Sequence, residues 1–365
     1  MPILDLTESN PTRCGFALDA EKVLAPLHDS RALLYQPDPR GLLMAREAVA
    51  QYYSERGVQL APDQIFLTSS TSEAYSFVFR LLANPGDNIL APQPSYPLFD
   101  FLGALNDVNV ISYPLVYNDG WQVDLQGLAT RWDSHSRAVL VVHPNNPTGS
   151  YIQKRELAAM TDICRQNRAA IIADEVFSDY GFNADAERVV THARNTEVLT
   201  FTLSGLSKIS ALPQMKLAWI VVSGPAELRS QALGRLEVIA DTYLSVSAPV
   251  ALATPTWLAQ RGAIQSQILE RLRANLRQLD SMLAPGLPLS RLKVEGGWYA
   301  ILRVPSTRSD EDWAADLLTQ AGVSLHPGHF YDFPSKGFLV LSLLPAPEVF
   351  TDALSKVISL ITAQS

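Results

Sequence analysis

The chain has 365 residues, of which 47% are hydrophobic, enough for a sizeable core in one large domain or two. Only 18% are charged, the formal net charge is -8 and no low-complexity tract is present, which argues against disorder and disfavours nucleic acid and anionic membranes as partners. No apolar stretch is long enough to span a bilayer, the start Met1-Pro2-Ile3-Leu4-Asp5 has no secretory character, and Cys14 and Cys164 lie far apart, so a cytoplasmic protein with reduced thiols is expected.

In chain order, Glu8-Ser9-Asn10-Pro11-Thr12-Arg13-Cys14 is polar and irregular, an arm that stays loose unless it is tied down over a site. The turn-rich loop from Tyr35 to Gly41 leads into a helix over 42–56, where Leu43, Ala45, Val49 and Tyr52 repeat at helical spacing. Residues 65–68 read as a strand. Ser69-Ser70-Thr71-Ser72-Glu73 then opens a helix over 74–82; such small hydroxyl residues are ordinary caps and equally what a phosphate site looks like. A strand over 88–91 ends before Tyr96. Further strands are predicted over 108–113, 138–142 and 169–173. The strand over 138–142 ends before His143-Pro144-Asn145-Asn146-Pro147-Thr148-Gly149, the one over 169–173 at Asp174-Glu175-Val176-Phe177, and a helix over 154–167 lies between them. Two apolar runs, 198–203 and 217–222, flank Ser204-Gly205-Leu206-Ser207-Lys208. Beyond them the spacing predicts helices over 226–244, 251–283 and 311–321, with short strands near 292–294, 296–302, 323–325 and 337–344.

Strands alternating with helices imply crossover connections and a mostly parallel sheet flanked by helices. The expected architecture is α/β: a large domain over 31–245, with a smaller α+β unit built from an N-terminal arm (1–30) and the C-terminal part (246–365). Tyr96, Asn146, Asp174 and Lys208 each fall just past the C-terminal end of a predicted strand, the edge where open α/β sheets bind ligands.

The sequence contains no G-x-G-x-x-G, Walker A or G-x-S-x-G motif, and no serine stands three residues before Lys208. Of the six histidines only His326 and His329 are close, and they bracket Pro327-Gly328 rather than sit on a helix, so no metal site is expected. An amine, a carboxylate, an amide, an aromatic ring and a phosphate nest on one rim match the needs of pyridoxal 5'-phosphate. Its aldehyde takes an amine, its ring nitrogen a carboxylate, and its ring a stacking face.

From Tyr35 to Leu344 the chain resembles the class I/II aminotransferases, the fold type I pyridoxal phosphate enzymes. Asn145-Asn146-Pro147-Thr148-Gly149, Asp174-Glu175-Val176-Phe177 and Ser207-Lys208 followed by Lys216 carry the resemblance in order and spacing. It implies an aspartate aminotransferase-like fold and an amino transfer between an amino acid or amine and a 2-oxo acid. Lys208 would form the Schiff base and shuttle the proton. Asp174 would partner the ring nitrogen, Asn146 donate to the phenolic oxygen, and Tyr96 stack on the ring. Ser70, Thr71, Ser72, Ser207 and Lys216 would hold the phosphate. Tyr35 would reach the phosphate of a neighbouring subunit, which implies a homodimer.

Four positions depart from the family pattern. Gly205 replaces a phosphate-binding serine, and Lys216 an arginine, keeping the charge and losing the bidentate fork. Val340 stands where an arginine clamps the substrate α-carboxylate. Either the substrate lacks a carboxylate there or another cation takes over; Arg13 is the first candidate, with Asn10 beside it on the arm and Arg303 and His329 as weaker ones. The same constellation also suits a lyase, decarboxylase or racemase, and a non-catalytic relative would keep the fold alone. Finally, Phe177 occupies the place of a tyrosine that donates to the phenolic oxygen. The bound chromophore should therefore keep its proton to higher pH than in tyrosine-containing relatives. An absorbance titration of the loaded protein measures this, and an unusually low titration midpoint counts against it.

Overall fold

The computed structural model describes residues 3–365. Eight strands form the main sheet: β1 (Ile65–Thr68), β2 (Asn88–Gln93), β3 (Asn109–Tyr117), β4 (Trp121–Val123), β5 (Ser136–Val142), β6 (Ala170–Asp174), β7 (Thr200–Gly205) and β8 (Ala218–Ser223). Their spatial order is β1-β8-β7-β6-β5-β2-β3-β4. The five central strands, from β7 through β3, run parallel; the pairs β1/β8, β7/β8 and β3/β4 are antiparallel. The sheet is thus mixed, with its antiparallel pairs at the two ends. The hairpin to β4 has no counterpart among the sequence expectations, because three residues show too little alternation to register.

The main helices are α1 (Leu43–Ser54), α2 (Thr71–Leu82), α3 (Lys154–Asn167), α4 (Leu206–Ile209), α5 (Ala226–Asp241), α6 (Ala248–Met282) and α7 (Pro347–Gln364). Alternation along β5 shows how they cover the sheet. Ala138, Leu140 and Val142 enter one core with α2 and α5, while Val139 and Val141 enter another with Met160 and Cys164 of α3. Burial on both faces explains why the strand reads as a continuous apolar run.

Helix α6 spans 35 residues, about 52 Å at 1.5 Å per residue. Its first half (Ala251, Ala253, Trp257, Leu258) packs with α1 and β8. Its second half (Ile264, Ile268, Leu272, Leu279) belongs to the core of a second, antiparallel sheet: β9 (Ser290–Arg291), β10 (Tyr299–Arg303), β11 (His326–Pro327) and β12 (Phe338–Ser342), in the order β9-β10-β12-β11. The strand expected near 292–294 lies instead at β9. Helix α7, absent from the sequence expectations, closes this core with Phe350, Leu354, Val357 and Ile361. The N-terminal arm is tied down: Leu4–Asp5 pairs with Val323–Ser324, and Ser342 N donates to Leu6 O.

Gly149 joins the two bodies. It has φ +67, and Glu295 N donates to its carbonyl. An added Cβ would run into the Gly296 carbonyl and the Val294 side chain. Gly149→Ala should therefore destabilise the protein by about 2 kcal/mol or more, read as a lowered thermal melting temperature.

Candidate active site

Parallel strands place their C-terminal ends on one rim, and the pairings of β1 with β8 and of β8 with β7 bring the end of β1 to the same side. Chemistry lies at four places on that rim, the last of them a pair of connections.

The first is the turn from β1 into α2. Ser70 is the N-cap of α2, and its Oγ accepts from Glu73 N at 3.2 Å; Ala74 N reaches Ser70 O. Capping therefore uses Ser70 and leaves the Thr71 and Ser72 N–H groups facing outward without a helical partner. Those amides and the helix dipole suit a phosphate. Glu73 folds back on the same turn, accepting from Ser69 N at 2.7 Å and Ser245 Oγ at 2.6 Å.

The second and third are the loops after β2 and β5. Asn145 ties them together: its Oδ1 accepts from Ser95 Oγ (2.9 Å), and its Nδ2 donates to Pro94 O (3.1 Å) and Thr148 Oγ1 (2.9 Å). Tyr96, 37% exposed, and Asn146, 7% exposed, ride on this joint. Asn146 Oδ1, a buried acceptor, has no partner among the described residues, so a donor is what would satisfy it. Burial and then Asp174 push the Tyr96 phenol up to about 12.

The fourth is the pair at the ends of β6 and β7. Asp174 is buried, with Oδ1 accepting from Val176 N (3.0 Å) and Oδ2 from Tyr75 OH (2.8 Å). Burial raises its carboxyl to about 6, against the pull of these two donors. Lys208 sits in the one-turn helix α4. Burial lowers its ammonium to about 8, with Asp174 opposing. The Nζ lies 4.7 Å from the Trp298 ring centroid and 5.5 Å from that of Phe177. A turn this short cannot hold itself. Tyr180 OH donates to Lys208 O at 2.5 Å and Gln265 Nε2 to Ile209 O at 2.9 Å, so the loop after β6 and helix α6 both brace it.

The remaining expected residues lie as follows. Ser207 is half-buried in α4 beside Lys208, and Lys216 is exposed with φ 52. At Gly205 a Cβ would approach Ala218 Cβ to 2.8 Å and Leu217 O to 2.9 Å, so this hairpin has no room for the serine of the family pattern. Tyr35 is 78% exposed beside Leu33 and Leu34. Asn10 caps the short turn Pro11–Arg13 by accepting from Thr12 N. The Arg13 side chain is 75% exposed, 4.0 Å from Glu8. Val340 is fully buried in β12, in register with Ile301 and His326, neither a permanent cation. Arg303 is exposed over Phe338, and His329 pairs with exposed Glu311 at 3.1 Å. Tyr299 and Tyr331 stand between the arm and Tyr96. Burial raises both phenols; Tyr299 lies against Ser9 and Tyr331, and Tyr331 also faces Tyr96.

Tyr75, Trp298, Tyr180 and Gln265 were not among the sequence candidates. Tyr75 follows Thr71 by one helical turn, a signal that exists but says nothing of Asp174. The other three reach the site only through tertiary packing.

Aminotransferase class I and II is the family whose model matches this chain, over residues 3–349. The chain is 26% identical over 361 residues to the glutamate-pyruvate aminotransferase AlaA of Haemophilus influenzae, covering 97% of this chain and 89% of that protein. It is 28% identical over 363 residues to the alanine aminotransferase of Mycobacterium tuberculosis, covering 94% and 82%. Among solved structures, the alanine aminotransferase from Pyrococcus furiosus superposes with TM-score 0.88 at 22% identity, covering 100% of this chain and 93% of that one. The tyrosine aminotransferase from Leishmania infantum gives TM-score 0.89 at 22% identity, covering 98% and 91%. At these identities the two structures speak to the fold.

The Lys208 environment has a measurable consequence in the apoprotein. Its folded-state pKa of about 8 lies below the ordinary lysine value of 10.5. Between these values the unfolded chain binds the extra proton, so stability rises with pH. Wild type should therefore gain stability relative to Lys208→Met as pH is raised from about 8 to about 10.5. Parallel pH curves from chemical denaturation would show a fully hydrated Lys208.

Proposed function

The chain belongs to the class I and II aminotransferases, enzymes that carry pyridoxal phosphate, and we propose that within this family it moves an amino group between a small amino acid and a 2-oxo acid, with Lys208 as the reactive amine. The observation that carries this reading is the Lys208–Asp174 pair: a half-buried amine drawn toward neutrality and a buried carboxylate on one sheet rim, beside a free helix N-terminus. When bound, the group supplies an electron sink for charge developing at the substrate Cα. Thr71 and Ser72 N–H would bind its dianion, helped by Ser70, Ser207 and Lys216. Asp174 would hold negative charge against the ring nitrogen, the Asn146 side-chain N–H would donate to the phenolic oxygen, and Tyr96 would cover one ring face. An amine near 8 is available as a nucleophile and then as a proton carrier at neutral pH. Trp298 and Phe177 keep water from its Nζ.

The names of the relatives, alanine and glutamate-pyruvate aminotransferases, support a small donor such as alanine. Since Val340 cannot pair with a carboxylate, we assign that contact to Arg13 and Asn10; among the described residues the Arg13 guanidinium has a single long ion pair, 4.0 Å to Glu8. We further propose a cytoplasmic homodimer. Exposed Leu33, Leu34 and Tyr35 form an apolar edge suited to a second copy, and both cysteines are free thiols. We keep 31–245 as the large unit and 1–30 with 246–365 as the small one, with α6 packing in both cores.

The test is a donor panel on the loaded protein: alanine, glutamate, and amines without a carboxylate. Alanine should discharge the cofactor absorbance and yield the corresponding 2-oxo acid. Arg13→Ala should raise the KM for alanine by about tenfold or more with kcat largely kept, and an unchanged KM removes Arg13 from the site. No 2-oxo acid from any donor would sink the transaminase reading.

A further inference from the structure

We propose that Tyr75 is a positioning residue for the cofactor, its hydroxyl clamping Asp174 so that helix α2 holds both the phosphate amides and the orientation of the ring-nitrogen carboxylate. The inference rests on the assignment of Asp174 made above. Tyr75 is 2% exposed, its ring between Phe79 (centroids 5.9 Å apart) and Phe99 (5.5 Å). Its hydroxyl donates to Asp174 Oδ2 at 2.8 Å, while Val176 N donates to Oδ1 at 3.0 Å. With one donor on each oxygen, the carboxylate cannot rotate without breaking a hydrogen bond. Thr71 and Ser72 lie one turn earlier on the same helix, their N–H groups at the rim. One rigid element thus sets the distance between the phosphate end and the nitrogen end of a ligand. Neither the capping serines nor the carboxylate alone would fix that distance.

The clamp also selects a charge state. A donor to a carboxylate favours its ionised form. Burial raises Asp174 to about 6, and both Val176 and Tyr75 act against that rise. The other titratable groups facing Asp174 are Lys208, which favours its charge, and Glu175 and Tyr96, on which like charge would oppose it. Without the Tyr75 hydroxyl, Asp174 keeps its proton to higher pH, and a neutral carboxyl cannot hold a charged ring nitrogen.

Tyr75→Phe removes the hydroxyl and keeps the ring packing, so the apoprotein should fold, with a melting temperature lowered modestly by the unpaired Asp174 Oδ2. Apoprotein is titrated with pyridoxal phosphate, with Kd read from cofactor absorbance between about pH 6 and about pH 8, the two values at which Asp174 and Lys208 titrate. The readout is the ratio of the variant Kd to that of wild type, in which the cofactor's own titration cancels. The expected ratio is about tenfold at the acid end, where a charge-assisted hydrogen bond is lost, narrowing toward the alkaline end. A ratio of one throughout, or a raised ratio that does not change with pH, overturns the proposal. Asp174→Asn serves as the reference. If it binds as wild type does, the assignment of Asp174 fails; if it binds weakly while Tyr75→Phe is unaltered, only the role of Tyr75 fails.

Discussion

Two opposite charges in a poorly hydrated place govern this molecule. Lys208 and Asp174 stand at the ends of adjacent parallel strands, each displaced from its ordinary protonation by burial and each partly restored by the other. Neither would be tolerated alone in such a site. The surrounding structure supplies what they need: Tyr75 and Val176 on the carboxylate, and braces from Tyr180 and Gln265 on the turn that carries the lysine. Reactivity follows from that placement, since an amine near 8 can be both nucleophile and proton carrier.

The site is made of connections rather than of elements. The loops after β1, β2, β5, β6 and β7 share no secondary structure and are kept in register by specific contacts. Asn145 fastens the Tyr96 loop to the Asn146 loop. Gly149 lets the latter meet the second body, and Gly205 lets β7 and β8 approach until no side chain fits between them. The long helix α6 then carries both cores and reaches the Lys208 turn through Gln265.

The two halves of the site differ in character. The cofactor half is built from charges and backbone donors with defined partners. The proposed substrate half gathers aromatic rings and hydroxyls, Tyr96, Tyr299 and Tyr331, close to an N-terminal arm that brings Ser9, Glu8 and Arg13. That arm is anchored by the pairing of Leu4–Asp5 with Val323–Ser324 and by Ser342 N donating to Leu6 O in the small sheet.

What the sequence determined by itself is the local chemistry and its order: apolar runs long enough to be doubly buried strands, hydroxyl residues opening a helix, and Asn146, Asp174 and Lys208 after successive strands. These are short-range signals, because strand burial and helix capping depend on neighbours a few residues away. The direction of β8, the hairpin to β4 and helix α7 were not read from it, since three-residue strands and packing across the chain leave little local trace. Only the tertiary structure decided which groups meet. Tyr75 reaches Asp174 across 99 positions, and Gln265 reaches Ile209 across 56. Val340 came into register with Ile301 and His326. Such contacts are set by how sheets and helices pack, and residue spacing carries no record of that.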